Sequence, residues 1–233
     1  MTFTVIGRCV RTGKLGFAQA TGTPAIGRRA VRVIPGKAVV AVQAGHNHYL
    51  MEIATELARA GFGAKRIFDT VLHSDPYSAQ RQLMYLDFSG RGVALTGDEA
   101  RPWRGHVEGE DFAVAGNVLA GEKVVTSMAA AFEGSGGKEL EERLLLSLEA
   151  GRDAGGQQGG EVSAALFVTG AHPYPLFDLR VDVSKEPTAE LRKAYEWYKP
   201  LAPFYSDCYE KGIPALYKKH LEGIGWPLTP PDL

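Results

Sequence analysis

The sequence predicts a layered α+β fold in which two β-sheets pack face to face and helices cover each outer face. Two observations carry this prediction. Strand-like segments come in blocks rather than alternating singly with helices, which argues against a doubly wound parallel sheet. Between the blocks, the apolar spacing changes from every second residue to every third or fourth, and it does so over two separate pairs of segments. Two strand sets and two helical pairs make four layers when each sheet covers one face with helices and the other with its partner sheet.

Phe3 to Val10 is rich in β-branched and aromatic residues, and Arg11-Thr12-Gly13-Lys14 supplies a turn before Leu15 to Thr21, so the chain opens with a hairpin. Gly22 to Gly27 is a loop, because its glycines and proline break either period. Ala30 to Ile34 and Lys37 to Gln43 flank Pro35-Gly36 and form a second hairpin, since Pro presets φ and Gly accepts a positive φ. From His48 to Ala60, the residues Leu50, Ile53, Ala54, Leu57 and Ala58 recur at helical spacing, with Gly61 as the stop. A further helix runs from Ala64 to His73 until Asp75-Pro76 closes it. Arg81 to Asp87, Gly92 to Thr96 and Phe112 to Val118 are strands, with Glu108 to Asp111 a connection.

Helices over Glu122 to Phe132 and Lys138 to Gly151 are separated by Gly134-Ser135-Gly136-Gly137, and Leu140, Leu144, Leu145 and Leu148 line one face of the second. Gly151 to Gly160 is a glycine-rich loop. Val162 to Thr169 and Leu179 to Val183 are short strands around a turn at His172-Pro173-Tyr174-Pro175, and Pro187 opens a helix carrying Leu191, Ala194, Tyr195 and Tyr198. The layered domain is expected over residues 1–199, followed by an aromatic- and proline-rich C-terminal tail, 200–233, to which no element is assigned.

Composition narrows the function classes. The chain has 233 residues, 45% hydrophobic and 23% charged, which suits one folded domain with a sizeable core. A formal charge of -1 with dispersed Lys and Arg leaves no basic stripe, so no nucleic-acid partner is expected. The longest uninterrupted apolar stretch is the five residues Ala38 to Val42, too short for a membrane span or signal core, so neither a membrane partner nor export is expected. Two cysteines, Cys9 and Cys208, build no disulfide framework, and a reducing, cytoplasmic location is the simpler reading. Phosphate-loop, dinucleotide-fingerprint and nucleophile-elbow motifs are missing, and no cofactor is expected.

Several segments together resemble one known family. The start Met1-Thr2-Phe3-Thr4-Val5-Ile6, the strand entry Arg81-Gln82-Leu83, the run Ala113 to Gly121, the strand Ser163-Ala164-Ala165-Leu166 and the segment Asp178 to Asp182 resemble the DUF1028 family. That family is similar in fold to the N-terminal nucleophile (Ntn) hydrolases, so the resemblance, over roughly residues 2 to 198, implies a four-layer αββα sandwich. The family's name assigns no activity, and a hydrolase reading draws on analogy of fold. One departure is visible: Gln157-Gln158-Gly159-Gly160-Glu161 stands where family members commonly carry a charged, Arg-containing stretch.

Thr2 is the candidate nucleophile. Methionine aminopeptidases remove Met1 when a residue as small as Thr follows, which leaves a hydroxyl and a free α-amine on one residue. The amine titrates near ~8, so part of it is neutral at pH 7 and able to take the hydroxyl proton. Asn117, beside Gly116, is the candidate donor to an oxyanion. Arg81 and Gln82, with Gln43 and His46, are candidates for holding a substrate carboxylate or carbonyl. The run Gln43 to His48 also invites a metal reading, but it has no Cys and no helical His pair, and no metal is expected. The expected function is an amidohydrolase acting on a small-molecule amide or related C–N bond; the alternative is a catalytically silent small-molecule-binding module on the same fold. Self-association into a homo-oligomer is compatible with either.

Overall fold

The computed structural model describes residues 1–45, 47–211 and 217–226. β1 (Thr2–Cys9) and β2 (Lys14–Thr21) form the first antiparallel hairpin, and β3 (Val31–Ile34) and β4 (Ala38–Gln43) the second. After α1 (His48–Arg59) and α2 (Ala64–His73) come β5 (Gln82–Asp87), β6 (Val93–Thr96), β7 (Arg104–Glu108) and β8 (Phe112–Asn117). Then follow α3 (Lys123–Gly134), α4 (Leu140–Asp153), β9 (Ser163–Thr169), β10 (Pro175–Val181), α5 (Pro187–Tyr198), α6 (Ala202–Lys211) and α7 (Tyr217–Gly223).

One sheet has the order β10-β9-β2-β1-β8-β7 and the other β3-β4-β5-β6, with every pairing antiparallel. Three apolar clusters separate the four layers. Leu50, Ala54, Ile67 and Val71 seat α1 and α2 on the smaller sheet. Ile6, Phe17, Val39, Met84 and Ala115 fill the gap between sheets. Val125, Phe132, Leu144, Leu148 and Leu191 seat α3, α4 and α5 on the larger one. The αββα order is therefore the one expected. No helix among the described residues is long and apolar enough to cross a membrane.

Two differences from the sequence reading have physical causes. β7 was not expected, because Arg104-Gly105-His106-Val107-Glu108 has one apolar side chain and no alternation; its ladder is imposed by β8, against which it lies as an edge strand. The segment after Tyr198 carries α6 and α7, held by ring contacts: Tyr198 stacks on Tyr205 at 6.0 Å, Trp197 meets Trp226 at 4.3 Å, and Tyr174 stacks on Tyr209 at 4.9 Å.

The end of the sandwich holding the C-terminus of β1 is pinned shut. Buried Arg8 donates through Nε to Asp111 at 2.9 Å, through Nη2 to the Glu110 carbonyl at 3.0 Å, and through Nη1 to the Asp87 and Gly90 carbonyls. One guanidinium thus ties turns of both sheets together. At the opposite end, where β1 begins, two cavities open beside Met1.

Candidate functional site

Alternation along the strands decides which side chains enter the gap between the sheets. Phe3 and Val5 belong to the cluster under α3 and α4, so Thr2 and Thr4, like Ile6, face the other sheet. Thr21, Asn117, Gln43 and Gln82 share the parity of the gap-facing residues Phe17, Ala115, Ala41 and Met84. Register brings them to one end: Thr2 pairs with Thr21 on one side and Asn117 on the other, and Gln43 pairs with Gln82 in the facing sheet. Four of the expected residues, Thr2, Asn117, Gln43 and Gln82, therefore converge.

Below Thr2 lies a buried polar floor. Thr4 Oγ1 donates to Gln43 Oε1 at 2.8 Å, and Gln43 Nε2 donates to Gln82 Oε1 at 3.1 Å and to the Ala115 carbonyl at 3.2 Å. Asn117 Nδ2 donates to the same Gln82 Oε1 at 2.8 Å, which engages one of its two amide hydrogens. Gln82 Nε2 faces the Gly116 carbonyl at 2.7 Å, Thr96 Oγ1 at 3.1 Å and the Gly105 carbonyl at 3.2 Å. Gln82 is wholly buried and its Oε1 accepts from one side chain of each sheet, so it orients both.

Above the floor, Thr2 Oγ1 donates to the Met1 carbonyl at 2.6 Å and lies 3.2 Å from Thr21 Oγ1, which also donates to that carbonyl. Met1 stands between two cavities of about 270 and 300 Å³. Thr2, Thr21, Arg29 and Gln43 line the first; Glu99, Arg101 and Asn117 line the second; Ala44 and Gly45 border both. Burial, and then the charge of Arg101, lower the pKa of the Met1 amine below its ordinary value of 8.0.

The walls are held from behind. Ser163 Oγ donates to the Thr23 carbonyl at 2.7 Å and accepts from Ile26 N at 3.0 Å, which fixes the loop after β2. Arg81 and Gln82 are neighbours in extended chain and point to opposite faces. Arg81 therefore lines neither cavity; it donates to Asp75 at 2.6 Å through Nε and to the Gly45 carbonyl through Nη1. Gly45, at φ +90° and packed on that guanidinium, sits where any side chain would be strained. The residues directly after Gln43 and Asn117, Ala44 at φ 62° and Val118 at φ 58°, occupy left-handed conformations that a β-branched residue rarely adopts. His46 lies outside the described residues.

Residues 2–191 match the family of unknown function DUF1028. The chain belongs to the DUF1028 family. A solved structure of a DUF1028 protein from Silicibacter pomeroyi is 30% identical, with a TM-score of 0.78 and coverage of 85% of this chain and 86% of that one. HslV from Trypanosoma brucei is 11% identical at a TM-score of 0.44, covering 71% of this chain and 98% of its own. Anbu, an ancestral β-subunit, from Yersinia bercovieri is 14% identical at 0.40, covering 92% and 99%. Among curated proteins nothing matches.

Thr2, Thr21, Gln43, Gln82, Arg101, Asn117 and Ser163 fall inside the matched span. Sequence reasoning missed Thr21, Arg101 and Ser163. Thr21 was within reach, since counting outward in equal steps from Arg11 and Thr12 in the first turn arrives at Thr2 and Thr21 together. Nothing local marks Arg101, whose placement depends on β7 pairing with β8. Among the described residues no group of three His, Cys, Asp or Glu side chains gathers as a metal site.

The Asp75–Arg81 pair is buried, with side chains 2% and 8% exposed, and it fixes the loop bordering both cavities. Breaking it by Asp75→Ala is expected to cost roughly 3–5 kcal/mol, because a buried guanidinium loses its counter-charge. The Arg81 hydrogen bond, the largest cause, holds Asp75 below its ordinary 3.8. A carboxyl depressed in the folded state stabilises above its unfolded pKa and loses that contribution as pH falls through the folded one. Urea titrations between pH 5 and 2 should show the parent losing stability below about pH 4, with a shallower slope in Asp75→Asn.

Proposed function

We propose that this DUF1028 protein is an Ntn-type amidohydrolase that cleaves a small-molecule amide or related C–N bond other than a peptide, with Thr2 as nucleophile once Met1 is removed. The observation that carries the reading is the position of the Thr2 hydroxyl, 2.6 Å from the Met1 carbonyl oxygen at the head of a central strand, with a cavity on each side of Met1. Removal of Met1 joins the cavities across Thr2 and frees its α-amine.

The steps follow from the groups in place. The neutral amine takes the Thr2 Oγ1 proton as the oxygen attacks the substrate carbonyl. The free amide hydrogen of Asn117 donates to the developing oxyanion, and the second hydrogen stays on Gln82 and fixes the amide plane. The protonated amine passes its proton to the leaving nitrogen as the C–N bond breaks, which leaves an ester on Thr2. Water, deprotonated by the same amine, attacks that ester; as the ester C–O bond breaks, the protonated amine returns the proton to Thr2 Oγ1, which restores the hydroxyl, and the acid leaves and ionises. Thr21, 3.2 Å from Thr2 Oγ1, holds that oxygen in line.

The second reading, a catalytically silent small-molecule-binding module, is the one for protein in which processing leaves Met1 in place: the Met1 carbonyl accepts both threonine hydroxyls, and its peptide bond removes the base. Intact-mass analysis with a β-lactone acyl probe separates the two. Protein lacking Met1 is expected to gain one acyl group at Thr2; protein from the native source that retains Met1 and still turns over an amide overturns the mechanism.

A further inference from the structure

Arg101 is unused by the mechanism. Its backbone is fixed beside the oxyanion donor, because its carbonyl accepts from Val118 N at 3.1 Å. Its side chain is exposed at the rim of the second cavity and, among the described residues, makes no hydrogen bond and no ion pair. The arginines nearby are engaged: Arg81 pairs with Asp75, Arg29 donates to the Pro24 carbonyl at 2.6 Å, and Arg104 donates to the Asp98 carbonyl. The charge of Arg101 reaches the reaction centre, since after burial it is the cause that lowers the terminal amine.

A guanidinium with unused N–H donors, fixed by its backbone at a cavity rim, matches a carboxylate bidentately. Glu99, which lines the same cavity, is 3.5 Å from the Gln80 amide and is the one acidic residue among the described lining. We infer that the substrate carries a carboxylate bound by Arg101, on the part of the molecule that enters the second cavity, with its amide carbonyl between Thr2 and Asn117. The inference rests on the proposed site for the placing of that amide.

Its test reads binding, so it stands or falls apart from turnover. Protein lacking Met1 and carrying Thr2→Ala, alone and with Arg101→Gln, is titrated calorimetrically with two matched pairs: N-acetylglycine against N-acetylglycinamide, and glutaramate against glutaramide. In at least one pair the carboxylate is expected to bind about tenfold more tightly than the neutral partner. Arg101→Gln should bring the two within about twofold of each other, and Arg101→Lys, a point charge without the fork, should restore part of the gap. Equal affinities within both pairs, an undiminished preference in Arg101→Gln, or no binding of any probe up to about 50 mM overturns it. A preference retained in protein that never turns over any amide would remove the hydrolase and leave the carboxylate site; Thr2-dependent turnover without the preference would do the reverse.

Discussion

Thr2→Ala, in protein freed of Met1, abolishes turnover and leaves the sandwich folded. Ala is as small as Thr for removal of the initiator methionine, so variant and parent present the same terminus and differ by the hydroxyl and its neighbouring methyl. Loss of a nucleophile with no substitute is expected to lower kcat on the order of 10⁴-fold or more. The lost hydrogen bond to Thr21 costs about 1 kcal/mol, a small part of the whole. Thr2→Ser keeps an oxygen in place and should retain measurable activity. Steady-state release of amine or ammonia from a set of amides, read beside a thermal melt, checks both halves. Equal turnover by Thr2→Ala and the parent would remove Thr2 from the chemistry.

Gln82→Met is expected to destabilise the sandwich as strongly as breaking the Asp75–Arg81 pair. The swap is close in volume and leaves the gap filled, but it removes the acceptor of the buried Asn117 amide, one of the two acceptors of the buried Gln43 amide and the side-chain donor to the buried Gly116 carbonyl. Each stranded buried group costs about 1–3 kcal/mol before relaxation, so a net loss of roughly 3–5 kcal/mol is expected, with a melting temperature lower by about 10 °C. Denaturant titration measures it. The same variant releases the Asn117 side chain from its acceptor, so kcat should fall more than KM rises, whereas a purely structural role would leave the kinetics of the surviving folded fraction untouched.

The parts of this fold that could be read from residues alone are those set by local pattern. Pro35-Gly36 marks one hairpin, the spacing of Leu50, Ala54 and Ala58 marks α1, and Leu140, Leu144 and Leu148 mark α4. β7 escaped because Arg104 to Glu108 has no pattern of its own and becomes a strand through β8. α6 and α7 escaped because their aromatic residues serve contacts with α5 and with the turn before β10 rather than one apolar stripe. In the site, Thr2 and Asn117 were visible as chemistry at strand ends, but their adjacency is a matter of register. Arg81 and Gln82 look alike as polar residues opening a strand; the pleat sends one to an ion pair and the other to the floor beneath Thr2.

The wedge formed by the first residue has a practical consequence. Any extension upstream of Thr2, whether an uncleaved leader or an affinity tag, continues the chain through the position that Met1 holds between the two cavities. Under the proposed mechanism, every substrate screen run on such a protein would come back blank. Under the proposed mechanism a tag belongs at the other terminus, which leaves the α-amine of Thr2 to be freed.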